Sequence, residues 1–252
     1  MVQRRLGKTG LAVSPIGLGT TKFGRNTDVR YPTPFDLPSD NQVEELLQAA
    51  LDLGVNLIDT APAYGESERR LGAFIAGQRD RWVLCTKCGE QYENGRSIYD
   101  FSSHALHRSV DASLQRLETD HVDILLLHSD GRDLEILTRS DAVETLTRLK
   151  ASGKTRAIGI SAKSAEGITA AAPMLDVIMA PFSKSEPSLA EAIKNAHDAG
   201  LGVLAIKGLF SGYLEASLAI DFVLQRSFID ALIVGTINPG HLRAAVTAAE
   251  KL

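Results

Sequence analysis

The chain is poor in several things, and each shortage closes off a class of protein. It has two cysteines, Cys85 and Cys88, in 252 residues, so it is not a disulfide-stapled scaffold. It has no excess of basic residues: the net charge is -4, with neither a basic stripe nor an RNA-binding aromatic motif, and nucleic acid is therefore not an expected partner. It has no long hydrophobic run. The apolar stretches are strand-sized, and the opening MVQRRLGKTG lacks the apolar segment of a secretory signal, so a cytoplasmic protein without a membrane span is expected. There is no low-complexity segment, linker or internal sequence repeat. What remains, 44% apolar and 23% charged residues, is the composition of an ordinary globular domain with one large core.

Within that composition two periodicities alternate. Residues 3–15, QRRLGKTGLAVSP, read as a small hairpin around Gly7 and Gly10. IGLGT (16–20) is a first strand, and after a polar, Pro-rich loop Ser39 and Gln42 form a capping-box signature opening the helix NQVEELLQAALDL. Strand-like runs and helical patterns then follow in pairs: NLIDT with ESERRLGAFIAG, WVLCTK with SSHALHRSVDASLQRLE, VDILLLH with DAVETLTRLKAS, and TRAIGIS with SAEGITAAAPML. Three further pairs are VIMAPF with SLAEAIKNAHDAG, GVLAIK with EASLAIDFVLQR, and ALIVGT with PGHLRAAVTAAEKL. Eight β runs alternating with eight helical patterns predict parallel strands joined by crossover helices. The count and the length suit a (β/α)8 TIM barrel with a short N-terminal β-hairpin, spanning 1–252 as a single domain, better than a doubly wound sheet of about five or six strands.

Sites in such barrels lie at the C-terminal ends of the strands. Asp59, with Tyr64 five residues on, follows the second run, Lys87 closes the third and His128 closes the fourth. Singly each has a bland reading: an Asp caps the next helix, a Tyr packs its ring, a strand-end His is a hydrogen-bonded neighbour. Lys87 is different, because an ammonium ending a buried run needs a partner, and Asp59 on the adjacent strand is the candidate. Cys85-Thr-Lys-Cys88 is C-x-x-C in form, but its two side chains oppose each other at period 2 and no further ligands accompany them, so two buried thiols are expected. His104 and His107 read as surface residues on a helix.

RRLGKTGLAVSPIGLGT, IDTAPAYG, TK and LLLH together resemble the aldo-keto reductase family over essentially the whole chain. The resemblance implies a catalytic tetrad: Tyr64 as general acid in carbonyl reduction, Lys87 and Asp59 tuning it, His128 orienting the substrate carbonyl. The chemistry fits the residue types. A phenol of pKa about 10 is poorly matched to neutral pH, and a neighbouring Lys87 is expected to pull it down while His128 bonds the developing oxyanion.

No side chain donates hydride, so NADP(H) or NAD(H) is the implied cofactor. A barrel holds phosphates in the loops after its seventh and eighth strands. Here these loops are KGLFSGYL, with Lys207, Gly208, Leu209, Ser211 and Gly212, and GTINPGH, with Gly235, Thr236, Asn238 and His241 leading into a helix N-terminus. The family also contacts cofactor at positions matching Gly19, Thr20, Lys22, Asp59 and Ser161. The chain departs from the family pattern in several of these contacts. Ser161 is followed by Ala162 rather than Asn, VIMAPFSKSEP lacks the usual Gln and Asn, and Ile206-Lys207 replaces the Tyr that stacks on nicotinamide. Gly235 and His241 align with the Lys and Arg that grip a 2′-phosphate, with Arg243 close by, and Ala244 and Ala245 with the adenine-contacting Glu and Asn. These departures leave the NAD or NADP preference open.

Substrate candidates are Phe23, Tyr92, Tyr99, Phe101, Phe182, Phe210 and Tyr213, although aromatics in such loops more often pack than recognise. The sequence ends in its last helix, without the C-terminal tail of many relatives, and an open, permissive pocket or one completed by a second subunit is expected. A small carbonyl compound or sugar is the expected partner, and the protein a monomer or small homo-oligomer. Two functions compete: an oxidoreductase, favoured by the intact tetrad, and a cofactor-binding regulatory or interaction module with little turnover. A lyase using Lys87 as a Schiff base ranks third, since no electron-sink pattern accompanies it.

Overall fold

The structure, a computed structural model, describes residues 1–29, 31, 33–209 and 215–252. In chain order the hairpin strands β1 (Arg4–Arg5) and β2 (Ala12–Val13) precede β3 (Ile16–Gly19), α1 (Thr21–Gly24), α2 (Asp40–Asp52), β4 (Leu57–Asp59), α3 (Ser67–Ile75) and β5 (Val83–Cys88). A second hairpin, β6 (Glu90–Glu93) and β7 (Arg96–Tyr99), leads to α4 (Ser103–Arg116), β8 (Val122–His128), α5 (Asp133–Arg139), α6 (Ala142–Ala151), β9 (Thr155–Ser161) and α7 (Ala165–Ala171). β10 (Val177–Pro181), α8 (Ala190–Asp198), β11 (Gly202–Ile206), α9 (Ala216–Leu224), β12 (Ala231–Gly235) and α10 (Pro239–Ala249) complete the chain.

Strands β3, β4, β5, β8, β9, β10, β11 and β12 pair in parallel and close into a barrel, β12 returning to β3. The predicted fold and the N-terminal hairpin are both present. The predicted capping box is also formed: the Ser39 side chain accepts from Gln42 N, and the Gln42 side chain accepts from Ser39 N. Among the elements that escaped the sequence reading, α1 stands where a polar loop was expected, directly after β3. The β6–β7 hairpin is a short polar pair in which Asn94 and Gly95 turn at positive φ, and α5 is an extra helix ahead of the predicted α6. No helix among the described residues is long and apolar enough to cross a membrane.

Period 2 decides which side chains enter the barrel. Leu57, Val83, Cys85, Ile124, Leu126, Ala157, Val177, Met179, Leu204, Ala231 and Ile233 form the interior cluster, and Leu6, Leu11 and Val13 of the first hairpin plug its lower end. The alternate positions, such as Ile58, Leu84, Leu125 and Ile158, pack outward against the helices. Cys85 and Cys88 are both buried and free, one in the interior cluster and one in the outer, as the opposed periodicity requires.

Candidate active site

The same alternation carries Asp59, Lys87, His128 and Ser161 inward at the ends of four consecutive strands. Barrel stagger spaces them along the axis: Asp59 is level with Cys85, Lys87 with Leu126, and His128 with Ser161. Lys87 and His128 therefore each stand two positions above the register partner of the residue before, while Ser161 is level with His128, and the long Lys87 side chain bridges the first step. Its Nζ donates to Asp59 Oδ1 at 2.5 Å and to the Thr60 carbonyl at 2.9 Å, with both charged side chains almost wholly buried.

Tyr64 reaches the same point from a 3₁₀ turn, Pro62–Tyr64. Two glycines set that turn. Gly65 has φ +59°, and a Cβ on Gly24 would lie 2.3 Å from the Tyr64 carbonyl oxygen and 2.4 Å from Glu66 N, so α1 and the turn touch backbone to backbone. A buried hydroxyl chain adds a second tie: Thr20 Oγ1 donates to the Asp59 carbonyl, Ser67 Oγ to Thr20 Oγ1, and Thr60 Oγ1 lies 3.0 Å from Ser67 Oγ. As a result the Tyr64 ring lies 4.8 Å from Lys87 Nζ and perpendicular to the His128 ring at 6.1 Å.

The electrostatics differ in one respect from the sequence expectation. Burial raises the Tyr64 pKa, Lys87 opposes it and Asp59 adds to it, and the balance stays above the ordinary phenol value. Lys87 lowers the phenol but does not outweigh burial, so Tyr64 rests as a protonated donor. Burial also works against the Lys87 ammonium, yet Asp59 and Tyr64 more than compensate and its pKa is raised. His128 is lowered, first by burial and then by Lys87, against the pull of Glu90.

Beside Asp59 and Tyr64 opens a cavity of about 590 Å³, within the roughly 300–1,000 Å³ usual for ligand sites. Of the predicted cofactor residues, Gly19, Lys22 and Asp59 line it on one side, Lys207, Gly208 and Leu209 at the end of β11, and Gly235, Thr236 and His241 after β12. Ala244 and Ala245 line it from α10. Three predicted contacts stand elsewhere. The Thr20 hydroxyl is engaged on Asp59, Ser161 is buried at the end of β9, and Asn238 caps α10, its Oδ1 accepting from Gly240 N and His241 N. The expected anion-binding helix N-terminus is thus satisfied by the chain's own side chain. Ser211 and Gly212, with the aromatic candidates Phe210 and Tyr213, lie outside the described residues.

Other aromatic candidates are packing residues. Phe23 is fully buried, and Phe182 stacks in the core on Phe222 and meets Phe228 edge-on. Tyr92 lies under the Arg25 guanidinium, and Tyr99 stacks on Phe101. The sequence reading missed Val29, Tyr31 and Thr33, which line the cavity from the loop after α1. Lys22 Nζ lies 3.9 Å from the Tyr31 ring centroid and 4.8 Å from that of Phe35, and burial lowers its pKa. The available signal was the pair of aromatics in a Pro-rich loop. Glu90, against His128, was also missed. Among the described residues no group of His, Cys, Asp and Glu could hold a metal.

The sequence matches the profile of the Aldo/keto reductase family over residues 15–216. It is 31% identical to L-galactose dehydrogenase of Arabidopsis thaliana, over 84% of this chain and 66% of that protein. It is 32% identical to aldo-keto reductase YhdN of Bacillus subtilis, over 86% of this chain and 65% of that protein. The chain thus spans slightly less than two thirds of the length of these relatives. Among solved structures, PA4992 of Pseudomonas aeruginosa superposes with a TM-score of 0.92 at 43% identity, covering 99% of this chain and 94% of that one.

Proposed function

The chain belongs to the aldo/keto reductase family, and from that premise we propose that it interconverts a small carbonyl compound or sugar and the corresponding alcohol, with NAD(H) or NADP(H) as redox partner. The observation that carries this reading is the Tyr64 phenol held against a buried Lys87–Asp59 pair at the edge of the cavity.

The cavity suits a dinucleotide. The glycine edge at Gly235 leaves the backbone open, with only the Tyr31 hydroxyl within 3.4 Å of a Cβ built there. Apolar walls at Ile206, Ile233 and Val234 would cover the rings, and Lys22, Lys207 and His241 would face the phosphates. When bound, the nicotinamide supplies or accepts the hydride. The chain's own residues do the rest. As negative charge develops on the substrate oxygen, the Tyr64 proton passes to it and leaves a phenolate. Lys87 stabilises that phenolate at short range in a dry site, and Asp59 keeps the ammonium charged and in place. In the alcohol-oxidising direction the phenolate takes the proton back.

A sugar or a small carbonyl fits this site, and similarity to L-galactose dehydrogenase supports the sugar reading. The test is Tyr64→Phe, assayed with a reactive aromatic aldehyde beside fluorescence titrations with NADPH and NADH. Loss of a general acid lowers turnover by about 10²–10⁴-fold, and the phenylalanine ring keeps the cavity wall, so cofactor affinity is expected within about twofold of the parent. Near-normal turnover in Tyr64→Phe, or failure of the parent to bind either dinucleotide, would overturn the proposal.

A further inference from the structure

His128 has a carboxylate behind it. Gly89, at φ +97° against the Phe101 ring, turns the chain so that Glu90 points back over the barrel mouth, where it is 6% exposed. Its Oε2 lies 2.7 Å from His128 Nδ1, and its Oε1 accepts from Ser97 Oγ at 2.5 Å. Tyr99 donates to the same carboxylate. Nδ1 is fully buried and has no hydrogen bond in this ring orientation, so Glu90 Oε2, at 2.7 Å, is the acceptor in reach of a proton there. Among the described residues, Lys87 on β5, Asp59 on β4 and Tyr64 on the 3₁₀ turn also face the ring.

Two hydroxyl donors and an imidazole hold the Glu90 carboxyl ionised, against burial, at a pKa of about 2. An ionised carboxylate only accepts, so the ring nitrogen facing it carries the proton. Burial, seconded by Lys87, keeps the ring neutral at ordinary pH. We propose that Glu90 is a positioning residue that fixes the His128 proton on Nδ1, so that the neutral ring offers Nε2 as an acceptor and becomes a donor only as imidazolium. The inference rests on the oxidoreductase reading above and sharpens it. A neutral His128 accepts from the hydroxyl of an alcohol or sugar, whereas a carbonyl oxygen receives a second hydrogen bond, beside that of Tyr64, only from the imidazolium. Reduction therefore weakens as pH rises through the His128 transition, and oxidation gains.

The decisive measurement is ¹⁵N NMR of the full chain labelled at its six histidines, with the His128 signals identified by their loss in His128→Asn. The expected neutral ring is protonated at Nδ1. In Glu90→Gln the titration midpoint is expected to fall by about one pH unit or more, the proton to redistribute toward Nε2, and the loss of reduction at high pH to flatten, because a neutral ring protonated at Nε2 still donates to the carbonyl. Glu90→Asp should retain the Nδ1 proton. A parent ring protonated at Nε2 overturns the proposal, as does a Glu90→Gln protein with both tautomer and midpoint unchanged. Should Glu90→Gln fail to fold, the parent tautomer decides alone. Absence of Tyr64-dependent turnover would sink the preceding reading and leave this spectroscopic result intact.

Discussion

Removing one member of the Lys87–Asp59 pair is expected to be among the most damaging single changes in this protein. At a Nζ–Oδ1 separation of 2.5 Å the pair attraction is about 7 kcal/mol for an effective dielectric of about 20. Desolvation of the two ions offsets most of that, so the intact pair adds little net stability. A single substitution keeps the desolvation cost of the surviving ion and loses its compensation, which costs about 3–5 kcal/mol. Asp59→Asn falls at the lower end, because its amide oxygen and the Thr60 carbonyl still accept from the ammonium. Lys87→Met leaves a carboxylate at 3% exposure and falls at the upper end. For a chain of this size about 1 kcal/mol moves Tm by roughly 2–4 °C, so losses of roughly 6–20 °C are expected. The Asp59→Asn/Lys87→Met double variant removes both charges and should recover about 1–3 kcal/mol relative to the sum of the singles. The Lys87 pKa is raised in the folded chain, so the stability it contributes is fully present below its unfolded value of about 10.4 and is lost only as pH rises through the higher folded value. Urea denaturation at neutral pH measures all three variants. Single losses below about 1 kcal/mol, or additivity in the double variant, would refute a dry, coupled pair.

Three other outcomes follow from the geometry. Gly24→Ala places a Cβ 2.3–2.5 Å from the backbone of Tyr64, Glu66 and Ser67, so it should cost about 1–3 kcal/mol and lower kcat along with stability; unchanged kcat and Tm would show that α1 does not set the Tyr64 turn. Glu90 is held at a pKa of about 2 in the folded chain, below the unfolded value of about 4.3. Its contribution is therefore present above pH ~4.3 and lost as pH falls through about 2, and Glu90→Gln should lack this acid limb in denaturation curves, which identical limbs would disprove. Ser39→Ala removes one half of the capping box on α2 and should cost about 0.5–2 kcal/mol, measurable by chemical denaturation, while leaving the cavity and turnover unchanged.

How much of the site could be read in the chain varied with the distance over which each residue acts. Asp59, Lys87 and His128 were legible because a strand end, a side-chain parity and a residue type are local properties. Tyr64 was legible from the motif around it but not in its electrostatics: whether Lys87 or burial dominates its proton is a sum over the whole barrel mouth. Thr20 and Asn238 read as cofactor contacts because their loops are correctly placed, yet each side chain is engaged by a neighbour. Glu90 and Tyr31 were invisible. Glu90 belongs to a hairpin of only four-residue strands whose polar pattern resembles any loop, and Tyr31 acts through Lys22 and Gly235, which only folding brings beside it.

By itself the sequence determined the alternation of strand and helix, the parity that sends three polar side chains into one barrel mouth, and the helix cap at Ser39, because each depends on backbone periodicity and nearest neighbours. The tertiary structure alone decided the two-residue stagger that lets Lys87 reach Asp59, the backbone contact of Gly24 with the Tyr64 turn, and the carboxylate behind His128. Those depend on barrel closure and on chain segments meeting across it, and electrostatics in a dry site follow distances that no local pattern encodes.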